Sequence, residues 1–290
     1  MRLNRFKGTG VALVTPFHKD GSIDFKSFKR LIDRCISGKV DYLVPLGTTG
    51  ESVTLTAAER RVVMDFVVEV TEGRVPVMMG LGGNNTIELV RSLEEFDFTH
   101  IDAVLSVTPY YNKPSQQGLI QHYTTFSSEC PVPVFLYNVP SRTGCNMDAD
   151  TILEIAASCK NVVGIKEASG SIEKAVTLLS KRPKDFLVIS GDDLLALPTI
   201  ACGGDGVVSV IANAYPKEFS EMVRLCLAGE FEKARRHQYR LHELTEAIFA
   251  EGNPSGIKAL LDLQGVCREF VRMPLAPVSR QLYKRLESLS

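Results

Sequence analysis

Eight short apolar runs, rich in valine, isoleucine and leucine, recur along this chain, with helical patterns filling the intervals. The runs lie at 11–14, 42–46, 75–81, 102–107, 132–137, 162–165, 186–189 and 206–211. Most are continuously apolar rather than alternating, which is how strands buried on both faces read. Helical periodicity occupies 27–36, 56–70, 86–96, 115–128, 148–158, 171–179 and 193–202. The first of these carries Phe28, Leu31, Ile32, Cys35 and Ile36 on one stripe. The second opens with T-A-A-E at 56–59, a capping box. Each strand and helix together fit a crossover unit of ~30 residues, and eight such units predict a (β/α)8 TIM barrel. A doubly wound open sheet is the alternative; it needs fewer strands and a switch-point crevice.

After position 211 the pattern changes. Helical stretches at 217–228, 231–250, 257–263 and 279–289 follow with no strand run between them. The first serves as the eighth barrel helix, so the expected division is a catalytic barrel over 1–228 and a C-terminal helical region over 229–290. Asn253-Pro254 reads as a cap with proline at the first helical position.

Bulk properties exclude several classes. The formal net charge of −1, with both signs interspersed, leaves no electrostatic footprint for nucleic acid or an anionic membrane. No apolar stretch is long enough to span a bilayer, and residues 1–7 lack the apolar core of a signal peptide. Seven cysteines, an odd count at wide spacing with no C-x-x-C pair, point to a reducing cytoplasm.

In a barrel of this kind chemistry collects at the carboxyl ends of the strands. Those ends read G-T-T-G-E-S (47–52), T-P-Y-Y-N (108–112), Y-N-V-P-S-R-T-G (137–144), K-E-A-S-G (166–170) and S-G-D-D (190–193). Lys166 ends the apolar run V-V-G-I at 162–165. An amine there is stripped of water, and burial favours its neutral form, a nucleophile toward carbonyl carbon. The alternative is a structural ion pair with Glu167 or an aspartate. The 47–50 turn exposes N–H groups and hydroxyls together, suiting a carboxylate, or else it merely caps the next helix. Tyr137 is either a proton shuttle beside the lysine or a core tyrosine with a satisfied hydroxyl. Arg142 can fork onto a carboxylate or form a surface ion pair. Tyr110 and Tyr111 could be a packing pair at a subunit contact. None of the five histidines falls at a strand end or in H-x-x-x-H spacing, so no metal centre is expected. Nucleotide motifs fail too: G-L-G-G-N-N at 80–85 misses the last glycine of G-x-G-x-x-G, and 47–52 lacks a P-loop lysine.

These strand ends resemble the dihydrodipicolinate synthase family, among the pyruvate-dependent class I aldolases. The motifs are G-T-T-G-E-S (47–52), T-P-Y-Y-N-x-P (108–114), Y-N-V-P-S-R-T-G (137–144), G-I-K-E-A (164–168) and S-G-D-D (190–193), in order on separate strands. The resemblance implies that pyruvate forms an imine with Lys166, tautomerises to an enamine and attacks L-aspartate 4-semialdehyde, giving 4-hydroxy-tetrahydrodipicolinate without a cofactor. It implies proton transfer by Tyr137, a relay through Thr48 and Tyr111, the latter from a neighbouring subunit, and substrate binding by Thr49, Val208 and Gly191. It assigns Arg142 to the semialdehyde carboxylate and implies a homotetramer of two tight dimers. Sialic-acid lyases of the same class usually lack the arginine and carry Ser-Thr at the 48–49 positions; this chain has the synthase pattern at both. Another pyruvate aldolase, such as N-acetylneuraminate lyase, and a non-catalytic keto-acid-binding barrel are the competing readings. Ser52, Val53, Asn84, Glu88 and Tyr110 match positions that bind inhibitory lysine. Ala57 and Arg60, however, stand where sensitive enzymes often carry histidines.

Overall fold

The computed structural model describes residues 3–290. Eight parallel strands form one sheet: β1 (Gly8–Ala12), β2 (Tyr42–Val44), β3 (Met78–Gly80), β4 (Ala103–Val107), β5 (Val134–Asn138), β6 (Val162–Glu167), β7 (Leu187–Ser190) and β8 (Gly206–Ser209). Their order is β2-β1-β8-β7-β6-β5-β4-β3, and a parallel bridge between Leu43 and Val77 brings the two edge strands together. The result is the (β/α)8 barrel expected from the apolar runs.

Helices α1 (Phe25–Ser37), α2 (Ala57–Thr71), α3 (Thr86–Arg91), α4 (Gln116–Glu129) and α5 (Pro140–Thr143) accompany the first five strands. Then come α6 (Ala149–Ser158), α7 (Ile172–Lys181), α8 (Ala196–Ala201) and α9 (Pro216–Leu227). The capping box at α2 forms in full, with Thr56 accepting from the Glu59 N–H and Glu59 accepting from the Thr56 N–H. One apolar layer lies between strands and helices. A second fills the barrel interior, where Phe6 meets Tyr42 and Phe135 edge-on at centroid distances of 5.5 and 5.3 Å.

Several boundaries differ from the sequence expectation. β1 covers Gly8–Ala12, because Gly8, Thr9 and Gly10 pair with β8 although they are not apolar. A Cβ at Gly10 would lie 2.2 Å from the Tyr42 ring, so glycine makes room for an interior aromatic. Strand β8 stops at Ser209, whose Oγ accepts from the Ala212 N–H and turns the chain into a 3-10 segment at Ile211–Asn213. The expected helix at 86–96 breaks after Arg91 into a 3-10 turn.

α10 (Phe231–Phe249), α11 (Ser255–Leu263) and α12 (Arg280–Leu289) follow the barrel. Pro254 precedes α11 rather than opening it, and the Asn253 side chain makes no cap. It donates instead to Thr49 Oγ1 at 3.0 Å, across 204 positions. Arg30 binds the Val266 carbonyl through Nε and Nη2, at 2.9 and 2.6 Å, so this region is fastened to the barrel wall. Among the described residues, no helix is long and apolar enough to cross a membrane.

Candidate active site

The direction of Lys166 depends on an irregularity in β6. Val134 pairs with Val162, but Phe135 pairs with Gly164, leaving Val163 as an extra residue. Side chains alternate along a strand, so one inserted residue reverses the facing of everything beyond it. The inserted Val163 joins the interior cluster. Ile165 then packs outward under the helices, and Lys166 turns into the barrel. Gly164 makes the bulge possible: a Cβ there would lie 2.5 Å from the Phe135 ring.

Tyr137 and Lys166 are register partners on β5 and β6. The Lys166 Nζ stands 4.2 Å from the Tyr137 ring centroid, and the two residues are 6% and 8% exposed. Among the described residues Lys166 has no carboxylate partner. The ion pair weighed for Glu167 goes elsewhere: Glu167 pairs with Lys174 at 3.3 Å and accepts from Asn138 Nδ2 and the Ser169 N–H. The amine is therefore sheltered and uncommitted.

The remaining groups arrive from neighbouring strand ends. The 47–50 turn is closed by the Gly50 N–H donating to Gly47 O at 3.1 Å. It lies so close to β3 that a Cβ at Gly80 would come within 2.5 Å of Leu46 O. Thr48, Thr49, Tyr137, Arg142, Lys166 and Gly191 line one cavity of about 470 Å³. Arg142, on α5, donates from Nη2 to Asn253 O at 3.2 Å. The opposite wall comes from Thr245, Glu246, Phe249 and Ala250 on and after α10, and from Asn253. Sequence reasoning missed this wall; of its residues only Asn253 was singled out, and then as a helix cap.

Two assigned residues fall outside the cavity. Val208 is 1% exposed in the barrel interior, and Val210 supplies the nearby apolar lining. Tyr111 is 88% exposed with φ 71°, pointing its side chain to solvent in the single chain. A separate hollow of about 410 Å³, lined in part by Arg5, Glu72, His100 and Asp102, carries no lysine, cysteine or tyrosine.

A model of the Dihydrodipicolinate synthetase family matches residues 5–289. The chain belongs to this family. It is 49% identical over 285 residues to the 4-hydroxy-tetrahydrodipicolinate synthase of Flavobacterium psychrophilum, covering 98% of this chain and 97% of that one. The dihydrodipicolinate synthase of Thermotoga maritima superposes with a TM-score of 0.96 at 39% identity, covering 98% and 97% of the two chains. The enzyme of Cyanidioschyzon merolae, solved with lysine bound, does so with a TM-score of 0.94 at 35% identity, covering 98% and 97%.

The five residues expected from the resemblance at a lysine site, Ser52, Val53, Asn84, Glu88 and Tyr110, are only partly brought together in the single chain. Ser52, Val53 and Tyr110 line a second cavity of about 290 Å³, which shares Thr48, Tyr137 and Arg142 with the first. Asn84 Nδ2 donates to Tyr110 O at 3.2 Å, tying its loop to that rim. Glu88 lies outside both cavities and pairs with Arg91 at 2.7 Å on the surface of α3.

Proposed function

We propose that this chain condenses pyruvate with L-aspartate 4-semialdehyde to give 4-hydroxy-tetrahydrodipicolinate. The carrying observation is the sheltered, unpaired Lys166 amine held over Tyr137 at the barrel mouth. The amine adds to the pyruvate C2 carbonyl, and loss of water gives a protonated imine. That imine withdraws electrons from C3, which loses a proton to form the enamine. C3 then bonds to the semialdehyde's aldehyde carbon, whose oxygen takes up a proton. The substrate's own amine attacks C2, displaces Lys166 and closes the ring. The imine is the electron sink throughout, so this course calls for no cofactor.

Tyr137 is the proton carrier in this reading, with Thr48 beside it in the same cavity. Thr49 and Gly191 receive pyruvate, with Val208 supporting the wall from the interior, and Arg142 holds the semialdehyde carboxylate. Tyr111 completes the relay from a second copy of the chain in a homotetramer of two tight dimers. The Tyr111 ring, 88% exposed on a left-handed backbone and outside its own chain's cavity, supports a partner that receives it. The place of action in this reading is the cytoplasm, where the seven free cysteines would stay reduced.

Borohydride reduction with pyruvate present tests the reading. A stable pyruvate adduct on Lys166 is expected, lost in Lys166→Arg; an unmodified Lys166 overturns it.

A second reading concerns regulation. The cavity of Ser52, Val53 and Tyr110, with Asn84 at its rim, supports a lysine site at the subunit contact. Millimolar L-lysine is then expected to slow turnover, and an unchanged rate overturns that site.

A further inference from the structure

Glu51 closes the turn that carries Thr48 and Thr49, and no step above uses it. Its backbone is left-handed at φ 54°, a strained conformation for a residue with a Cβ. Its side chain is shut away from water at 1% exposure. Oε1 meets Lys258 Nζ, and Oε2 accepts from the Arg272 N–H at 2.9 Å. Lys258, on α11, is wholly buried; it also donates to Phe270 O at 2.9 Å and lies 4.1 Å from the Phe17 ring centroid. Burial works against the Lys258 charge, lowering its pKa, while Glu51 opposes that shift.

A buried ion pair is a poor device for stability alone, because well-packed apolar side chains of similar volume often do as well. Unlike them, it fixes direction: each charged atom has a defined place. A second tie from the same stretch of chain reaches the same turn, where Asn253 Nδ2 binds Thr49 Oγ1. The turn bearing both threonines is thus gripped from the C-terminal region at two points, neither of which touches Lys166.

We propose that Lys258 and Glu51 are positioning residues, holding the 47–51 turn in the conformation that presents the Thr48 and Thr49 hydroxyls to the imine on Lys166. The proposal rests on the reading of the cavity as a pyruvate imine site. Its test is the double variant Glu51→Gln/Lys258→Met, which leaves no unpaired buried charge. Melting temperature, borohydride trapping of pyruvate, kcat and the KM for pyruvate are measured on it and on the native protein. The expected variant folds and still traps pyruvate on Lys166. It loses roughly tenfold or more in kcat and has a raised KM, because misplacing catalytic groups by about 1 Å is enough for such a loss. A folded variant with native kcat and KM overturns the positioning role and makes the pair structural only. If the double variant does not fold, Glu51→Asp, which keeps both charges but shortens one arm, carries the same kinetic expectation; native kinetics in that folded variant overturn the proposal equally. Native protein that forms no adduct with pyruvate overturns the site reading itself, a result distinct from either.

Discussion

A Cβ at Gly191 would stand 3.0 Å from the Lys166 Cε and 2.5 Å from the Ala168 Cβ. Just past β7, any side chain would therefore press on Ala168 first and on the stem of Lys166 next. Gly191→Ala crowds the 166–168 segment, shifting Ala168 and the Lys166 stem above Tyr137 without adding polarity or charge. The expected result is a folded protein whose kcat falls by about 100-fold, since a shift near 1 Å at a reacting group is felt on that scale. Steady-state assays beside circular dichroism check this; native turnover in the variant would mean that the lysine reaches pyruvate by another path.

Tyr137→Phe separates the ring from the hydroxyl. The ring stays under the amine and in the interior cluster, so packing is preserved. General acid–base transfer is worth about 10²- to 10⁴-fold, and kcat is expected to drop within that range. Borohydride should still trap pyruvate on Lys166, at a reduced rate. Quench-flow mass spectrometry reads both, and an unchanged kcat would leave Tyr137 as a packing residue.

The sequence showed the barrel because strands covered on both faces must be apolar throughout; four of the runs contain their strands entirely and three more cover most of theirs. It obscured β1, which opens on Gly8, Thr9 and Gly10 rather than large apolar residues, Gly10 making room for the Tyr42 ring. The strand-end motifs marked Lys166, Tyr137, Thr48 and Arg142, since polar residues closing apolar runs stand out against them. The bulge at Val163 left no trace, because one more valine in a valine-rich run looks the same whichever way it faces. Thr245, Phe249 and Asn253 were equally hidden. They sit 79 to 87 positions beyond Lys166, on and after a helix whose periodicity reports only that one face is buried.

Tyr111 bears on assembly. Its left-handed backbone and exposed ring leave it outside the cavity of its own chain. If a second copy receives it, Tyr111→Ala and Lys166→Ala are each nearly inactive alone. Unfolding and refolding the two together would create mixed sites holding one native lysine and one native tyrosine, and activity should reappear. A mixture as inactive as its components would mean that Tyr111 does not serve the site of a second copy.

His122 makes stability depend on pH. It is buried on α4, its Nδ1 is 2.8 Å from Thr86 Oγ1, and its Nε2 has no hydrogen-bond partner among the described residues. Burial pulls its pKa from 6.5 down to about 4. The unfolded chain therefore takes up a proton on this imidazole at a higher pH than the folded one. Stabilisation is intact above pH 6.5 and is lost progressively as the pH falls toward 4. At ~1.4 kcal/mol per pKa unit, the loss is about 3 kcal/mol. His122→Phe keeps an aromatic ring beside Tyr123, 4.9 Å away between centroids, and cannot titrate. Urea unfolding of both proteins from pH 7.5 to 4 should show the native protein losing stability relative to the variant across that window. Carboxylates common to both proteins cancel in the difference, so parallel curves would mean that water reaches the His122 ring and lets it titrate as it does in the unfolded chain.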